Sequence, residues 1–456
     1  MNKKISTFEF DLTFRFCHLD LNNILHFKFL YLMLAIFLFL PPFSAYAKWS
    51  ITPRLYLEEQ YDDNIFLTET NEQNDFITTF SPGIDLKYQT PTTLLDLDYE
   101  LQRSLYSDFS ELDFTGHRAR AEAKKDFSPR FSAGISEFFI RSEDPIELTG
   151  IPVFERPSIR AGARNRYTRN IVEPEMTYRF AENRAIRLRY RNIALRNKAE
   201  DVADQDQDAI NALLTYRINV HNGLEFFYEY IDQTYEPTIP PEPPRNFEGN
   251  ELRGRYTYYF NPRTTAFVEY RLYDRDFERQ AADFVDYEVH DRRAGFSHDL
   301  YESVTVSASA GYALRDSSAG DDENTFSGRF DLTGRHKRLT GDVFGEIGFA
   351  DDFLSAENLG FNEFWRVGFN GTYQLAQRLW ADGFFYFQRE KFIDLNRRDE
   401  LRSVQGTLNY QILEWLFASL EYRHSERDSN IPFESYTDNR YFGRITVRYD
   451  LTEHQQ

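Results

Sequence analysis

Polar and apolar residues alternate along most of the chain, and the run DFITTFSPGIDLKYQTPTTLLDLDYELQ, Asp75 to Gln102, shows the rule. Every second residue from Phe76 reads Phe76, Thr78, Phe80, Pro82, Ile84, Leu86, Tyr88, against Asp75, Ile77, Thr79, Ser81, Gly83, Asp85 and Lys87. After QTPT the pattern resumes with Leu95, Leu97, Tyr99 and Leu101 against Asp96, Asp98, Glu100 and Gln102. A period of two places successive side chains on opposite faces of an extended strand. Strands of soluble sandwiches run about five or six residues, and these run about twice that. A long strand with carboxylates on one face and aliphatic or aromatic groups on the other suits a wall between water and lipid. The pattern predicts an all-β fold, a single antiparallel transmembrane β-barrel.

The alternation recurs in Thr168, Asn170, Val172, Pro174, Met176, Tyr178, Phe180, and in Ile210, Ala212, Leu214, Tyr216, Ile218, Val220. It returns in Leu224, Phe226, Tyr228, Tyr230, in Phe361, Trp365, Val367, Phe369, Tyr373, Leu375, and in Tyr441, Gly443, Ile445, Val447, Tyr449, Leu451. It weakens around Phe114 to Phe127 and Asp286 to Leu300. Short turns such as AENR (Ala181 to Arg184) and NPR (Asn261 to Arg263) take turns with longer polar connections. Examples are DDNIFLTETNEQN (Asp62 to Asn74), EPTIPPEPPRNFEG (Glu236 to Gly249) and DDFLSAENLG (Asp351 to Gly360). That rhythm predicts tight periplasmic turns and long external loops around about 20 strands, within a range of about 16 to 22. A barrel of that size is too wide to be filled by ordinary side chains and holds water, a folded-in loop, or both.

Composition agrees. Aromatic residues make up 17% of the chain, with 43 Phe and 29 Tyr, as lipid-interface girdles require. One segment, Phe29 to Leu40, is strongly apolar, but at 12 residues it is too short to span a bilayer as a helix. Followed by PPFSAYA, it reads as the core of a signal peptide, with a long n-region, spanning 1–47 and cut after Ala47. The barrel then occupies 48–456. The single cysteine, Cys17, leaves with the leader, so no disulfide or thiolate chemistry is expected. A formal net charge of −20 argues against nucleic acid as a partner.

Catalytic and metal motifs are scarce. His117, His221, His290, His298, His336, His424 and His454 form no HExxH pair, no GxSxG elbow is present, and GRFDLTG is not a P-loop. Asp201, Asp204, Asp206 and Asp208 crowd together, but Ala209 and Thr215 stand where an EF-hand needs Gly and Glu, so a solvated acidic loop is expected. No cofactor and no metal site are expected. The water-facing side carries more information: Asp96, Asp98 and Glu100 line one strand, and Arg187, Arg189 and Arg191 another. Such columns on different walls would either set a transverse field that selects solutes, or pair with neighbours and merely keep the lumen wet. The longest connection, Ser142 to Tyr167, carries Arg156, Arg160, Arg164 and Arg166. Folded inward it would make a basic constriction, and left outside it would meet lipopolysaccharide phosphates.

The segments PRLYLEEQYDDNIFL (Pro53 to Leu67) and FSPGIDLKYQT (Phe80 to Thr90), with regular hairpins following to the C-terminus, resemble a beta-barrel porin family of outer-membrane proteins often associated with exopolysaccharide loci. The resemblance runs over essentially the whole mature chain. It implies a non-enzymatic barrel in the outer membrane of a Gram-negative cell, in contact with outer-membrane lipid and lipopolysaccharide. Such a barrel would be expected to act either as a passive porin or as a conduit working with polysaccharide export components. A barrel-embedded hydrolase and a non-conducting adhesive barrel are the rival readings. Such barrels commonly end on an aromatic residue, whereas this chain adds Thr452 to Gln456 beyond Tyr449 and Leu451.

Overall fold

The structure is a computed structural model that describes residues 47–144, 146–147, 158–159, 164–200, 202–236, 245–278, 285–301, 303–318, 322–353 and 359–452. The expected leader, up to residue 46, lies outside the described residues. The strands are β1 Lys48–Asp62, β2 Asp75–Gln89, β3 Thr93–Tyr106, β4 Phe114–Asp126 and β5 Phe131–Ser142. Two short strands, β6 Ile146–Glu147 and β7 Ser158–Ile159, pair with each other alone. Next come β8 Tyr167–Ala181, β9 Arg184–Asn197, β10 Gln205–Arg217, β11 Asn222–Tyr235, β12 Phe247–Asn261, β13 Thr264–Phe277 and β14 Tyr287–Tyr301. The rest are β15 Val304–Ser317, β16 Glu323–His336, β17 Leu339–Asp352, β18 Gly360–Ala376, β19 Leu379–Phe392, β20 Arg397–Leu413, β21 Leu416–Ser429 and β22 Tyr436–Arg448.

Twenty of these strands form one sheet in which each is antiparallel to the next, and β1 pairs with β22 from Arg54↔Arg448 to Asp62↔Arg440. The sheet is therefore closed and has no free edge to expose unpaired N–H and C=O groups to lipid. The weakly alternating segments are strands too, β4 and β14. In β4 the outward positions are Ala119, Ala121 and Ala123, whose small side chains mute the pattern. The C-terminal tail continues the seam, because Tyr449 and Leu451 donate their amides to the carbonyls of Pro53 and Ile51 at 3.2 and 3.0 Å.

Both ends of the sheet lie on the side of the short turns, which the even strand number requires. Five of these turns share a register shift one residue before the reversal, the bulge of a tight hairpin. In the turn after β8 the φ of Asn183 is 55°, a left-handed position that Asn tolerates.

The outward face is apolar where lipid lies. Leu57, Met176, Leu188, Ile210, Val268, Leu408, Leu420 and Ile445 are all exposed. So continuous an apolar surface would be costly in water, and the belt places the chain in a membrane. Above it runs a tyrosine girdle. The hydroxyls of Tyr228 and Tyr422 bond to Asn250 and Asn439 at 2.9 Å, that of Tyr270 to His290 at 2.6 Å, and that of Tyr190 to Asp208. Below it lie Trp49, Phe180, Tyr258, Phe260, Tyr373, Tyr410, Trp415 and Tyr449. On β12 the ten steps from Asn250 to Phe260 give about 33 Å of strand, which at a tilt near 45° covers about 23 Å, close to the thickness expected of an outer-membrane apolar band. Beyond the upper girdle, Asp208↔Asp232↔Glu248↔Asp276 stand directly opposite one another, so the collar at the external rim is acidic on this side. Asp206 and Asp208, expected in a loop, lie on β10. Asp206 pairs with Arg196 at 2.6 Å, and Asp201 lies outside the described residues.

Close strand approach sets limits on side chains. A Cβ on Gly311 would stand 1.9 Å from the carbonyl oxygen of Arg292 on the neighbouring strand, whereas one on Gly406 would meet nothing within 4 Å. Gly311→Ala is expected to lower markedly the temperature at which the folded barrel loses its compact gel mobility. Gly406→Ala should leave it within a degree or two, at roughly the cost of an ordinary surface change.

Candidate functional site

The lumen wall is lined by the other half of each strand, and its middle zone is a belt of ion pairs. Glu58 pairs with Arg444, and Arg54 with Asp98 and Glu100, the last also accepting the Tyr56 hydroxyl at 2.9 Å. Lys87 meets Asp96 at 3.1 Å, Glu173 takes Arg191 at 2.7 Å, and Glu175 takes Arg189 at 3.1 Å. Further round stand Glu251–Arg271 at 2.7 Å, Arg255–Glu269 at 2.6 Å, Arg293–Asp291 at 2.7 Å, Arg366–Glu346 at 2.6 Å and Arg423–Glu421 at 2.9 Å. Most partners are cross-strand neighbours or lie two residues apart on one strand, the geometry in which opposite charges meet on a sheet face, whereas Arg54 of β1 reaches over Gly83 of β2 to its partners on β3. Almost all the cations are Arg, whose planar fork serves two carboxylates at once.

The residues singled out from the sequence do line this wall, but they do not oppose each other. Asp96, Asp98 and Glu100 on β3 and Arg187, Arg189 and Arg191 on β9 are only four strands apart around the sheet. All of them except Arg187 are neutralised locally, and Arg187 keeps a buried Nε without a partner. Of the two readings left open for these columns, a transverse field or pairing with neighbours, the contacts are those of local pairing. Sequence reasoning missed Arg118 and Arg120 on β4, which face the lumen exposed and, among the described residues, have no carboxylate within salt-bridge distance. Their guanidinium carbons lie 5.9 and 6.0 Å from the Phe138 ring centroid. The signal, Arg alternating with Ala in HRARAEAK, was present but lacked bulky residues to mark the lipid face.

At the external end the connections turn inward. In the β1–β2 connection Ile65 and Leu67 are 0% exposed, and Leu67 packs on Leu401 of β20 and Tyr436 of β22. Asn64 holds the bend, donating to the carbonyls of Thr68 and Thr437 at 2.8 and 2.9 Å. The carboxylate of Asp75 accepts the amides of Ser107, Asp108 and Phe109 at 3.0 to 3.1 Å and anchors the β3–β4 connection.

The long connection before β8 reaches across to β1 and β22. Arg164 donates to Asp62 at 2.9 Å, the Ile65 carbonyl at 2.6 Å and the Tyr106 hydroxyl at 3.0 Å. Arg440 joins Asp62, Asp438 and Asp144 at 3.2, 2.7 and 3.4 Å. Glu143, which accepts the Tyr106 hydroxyl at 2.8 Å, has its carboxyl pushed above the usual range by burial. Arg166 bonds the Asp113 carbonyl at 3.2 Å, while Arg156 and Arg160 lie outside the described residues. The described arginines thus form an internal tie, with Arg164 only 4% exposed, and not an open basic constriction.

The β17–β18 hairpin supplies the largest part of this lid. Pairing of β16 with β17 stops at Gly328↔Ile347, while β17 and β18 stay paired up to Asp352↔Gly360. The freed tip buries Phe349, Phe353 and Phe361 against Phe247, Tyr273, Phe277, Tyr287 and Val289 of β12 to β14. Phe361, expected on the lipid face, is 2% exposed and lies under the Arg315 guanidinium at 4.4 Å. Asp351 pairs with Arg275 at 2.8 Å and accepts the Tyr287 hydroxyl at 2.7 Å, and Tyr235 donates to the Phe353 carbonyl at 2.7 Å. Asp394, between β19 and β20, takes Arg315 through both oxygens at 3.0 and 2.8 Å. The described ends of the stretch expected as an external loop, 351–353 and 359–360, therefore fold inward, while 354–358 lie outside the described residues.

The family model described as "Putative beta-barrel porin 2" matches residues 228–449, from β11 to the end of the seam, and leaves the two N-terminal segments quoted above outside the match. The siderophore receptor PirA from Pseudomonas aeruginosa is similar in structure at 12% identity and a TM-score of 0.51, over 88% of this chain and 80% of that one. The ferric enterobactin receptor PfeA is similar at 9% identity and a TM-score of 0.52, over 88% and 81%. At such identities the likeness is one of fold. No curated protein matches. The chain is therefore a closed β-barrel of the outer-membrane kind, and more than a third of it, including the seam strand β22, matches a porin family model.

Removing one partner of a buried ion pair leaves an uncompensated charge, typically about 3–5 kcal/mol. Asp351→Ala should therefore release the hairpin tip, so that external protease cleaves between 353 and 359 in intact cells while the barrel stays heat-modifiable. Asp232→Ala on the outer collar should leave that cleavage unchanged.

Proposed function

We propose that the protein is a restricted passive channel for small hydrophilic solutes, with the inward connections narrowing its external mouth. The observation that carries this reading is the belt of matched Arg–carboxylate pairs beneath the lid. Such a belt keeps the lumen hydrated and fixes dipoles along the wall, but it leaves little net charge to exclude either sign of ion. Neutral and zwitterionic solutes can exchange hydrogen bonds with it at little cost. Arg118, Arg120 and Arg253, the last lying over Phe227 at 5.0 Å, add a modest preference for anionic groups along one side.

A second reading, an outer-membrane conduit for exopolysaccharide, draws on the family resemblance and on the wall formed by β18 to β20. There Asp382 accepts the Thr372 hydroxyl at 2.5 Å and the Asn409 amide at 2.6 Å, beside Phe384 and Tyr386. Amide, hydroxyl and ring surfaces suit sugars, but a polymer would require the lid to swing away. Export components would then be the partners that open it.

Single-channel recording of the refolded chain from Lys48 in a planar bilayer tests the first reading. Small, stable steps with a weakly anion-shifted reversal potential are expected, and Arg118→Glu with Arg120→Glu should move that potential toward cations. Asp351→Ala with Asp394→Ala should raise the conductance several-fold. Persistent silence of both wild type and the lid variant would reject a passive channel. Replacing Arg156, Arg160, Arg164 and Arg166 by Ala should enlarge the step by loosening the tie to Asp62, and an unchanged conductance and selectivity would remove the loop from the permeation path.

A further inference from the structure

On the outside of the barrel, where β17 to β21 reach the external rim, lies a cavity of about 550 Å³. Ile347 and Trp365 form its apolar side, and Arg389, Lys391, Arg398 and Glu400 are among its polar lining. Trp365 is 38% exposed and pairs across to Arg389, so the cavity begins at the level where apolar wall gives way to polar rim. An amphipathic ring at this depth marks the headgroup boundary.

The charges are unusual for a sheet. Lys391 on β19 stands directly opposite Arg398 on β20, and neither side chain has a carboxylate within salt-bridge distance among the described residues. Like charges directly opposite destabilise a strand pair unless something lies between them. Nearby acids do not relieve them: Glu363, directly opposite Lys391 on β18 and in the lining, turns to the Thr325 hydroxyl at 2.6 Å, and Glu400 is already shared by Arg389 and by Arg402 at 3.4 Å. Asp428, across β21 from Glu400, lines the cavity as well and works against an anion. The rim elsewhere has the opposite sign, as the row Asp208, Asp232, Glu248 and Asp276 shows.

We propose that this cavity binds the phosphorylated headgroup of an outer-leaflet glycolipid, with one phosphate between Lys391 and Arg398 and an acyl chain along Trp365 and Ile347. Facing cations supply charge-assisted contacts to phosphate oxygens, and the apolar floor takes the chain that a free anion lacks. The acidic rim on β10 to β13 turns such headgroups away, so one side of the barrel is marked for the lipid. The inference rests on the membrane placement alone and is independent of what the lumen conducts.

The test is native mass spectrometry and titration of the full folded barrel in neutral detergent. The probes are bisphosphorylated lipid A, its dephosphorylated form, and inorganic phosphate. Lipid A should bind in preference to the dephosphorylated lipid. Lys391→Ala with Arg398→Ala should weaken it by about tenfold or more, the usual loss for charge-assisted contacts. Asp428→Asn should tighten it, and Arg263→Ala at a periplasmic turn should do nothing. Equal binding of both lipids, or a double variant that folds with normal heat-modifiability and binds like wild type, overturns the proposal. Binding of inorganic phosphate with no preference for lipid A would assign the cations to a free anion and overturn it too. A channel that proves silent in bilayers leaves all these readouts intact.

Discussion

Pairing of β1 with β22 is the constraint on which the rest of the molecule depends. In hydrocarbon an unpaired backbone amide or carbonyl costs several kcal/mol, so a sheet of twenty strands is tolerable there only if its first and last strands meet. Closure dictates the alternation, because once every strand is in the wall each has lipid on one side and lumen on the other. It also dictates where charge can go. Most inward-facing charges pair along the lumen wall, and the row Asp208, Asp232, Glu248 and Asp276 sits on the rim beyond the membrane boundary, where water solvates it.

A closed barrel of this circumference creates a second problem, an interior too wide for the wall's own side chains to fill. The protein answers it in two ways at two depths. In the middle zone, neighbouring Arg and carboxylate groups satisfy each other and leave the surface hydrophilic. At the external end, apolar residues from the connections pack on apolar residues of the inner wall, and buried ion pairs such as Asp351–Arg275 and Arg164–Asp62 set their register. A buried pair contributes little net stability by itself, but it penalises any arrangement that separates its members, and so it specifies one seating of the lid.

Period-two alternation, the short–long rhythm of connections and the aromatic excess were enough to derive an all-β transmembrane barrel of about 20 strands from residues alone. They suffice because lipid imposes a local rule: whether a strand residue faces out depends on its parity. Asp96, Asp98, Glu100, Arg187, Arg189 and Arg191 could be placed on the water side for that reason. Parity says nothing about which neighbour a charge meets. That Arg54 reaches over β2 to take Asp98 and Glu100, so that no described carboxylate pairs with Arg118 or Arg120 on the next strand, follows from strand register.

The connections were the least legible part, since their polarity reads alike whether they stand in water or fold into a wet lumen. Phe361 and Asp351 lie in a stretch that alternates like any hairpin, yet their surroundings come from strands more than forty residues away. The sequence by itself determined the wall, because each strand's faces are set by the two solvents it separates. Only the tertiary structure decided what closes the mouth and which charges remain unpaired, because those contacts join residues that closure alone brings within reach.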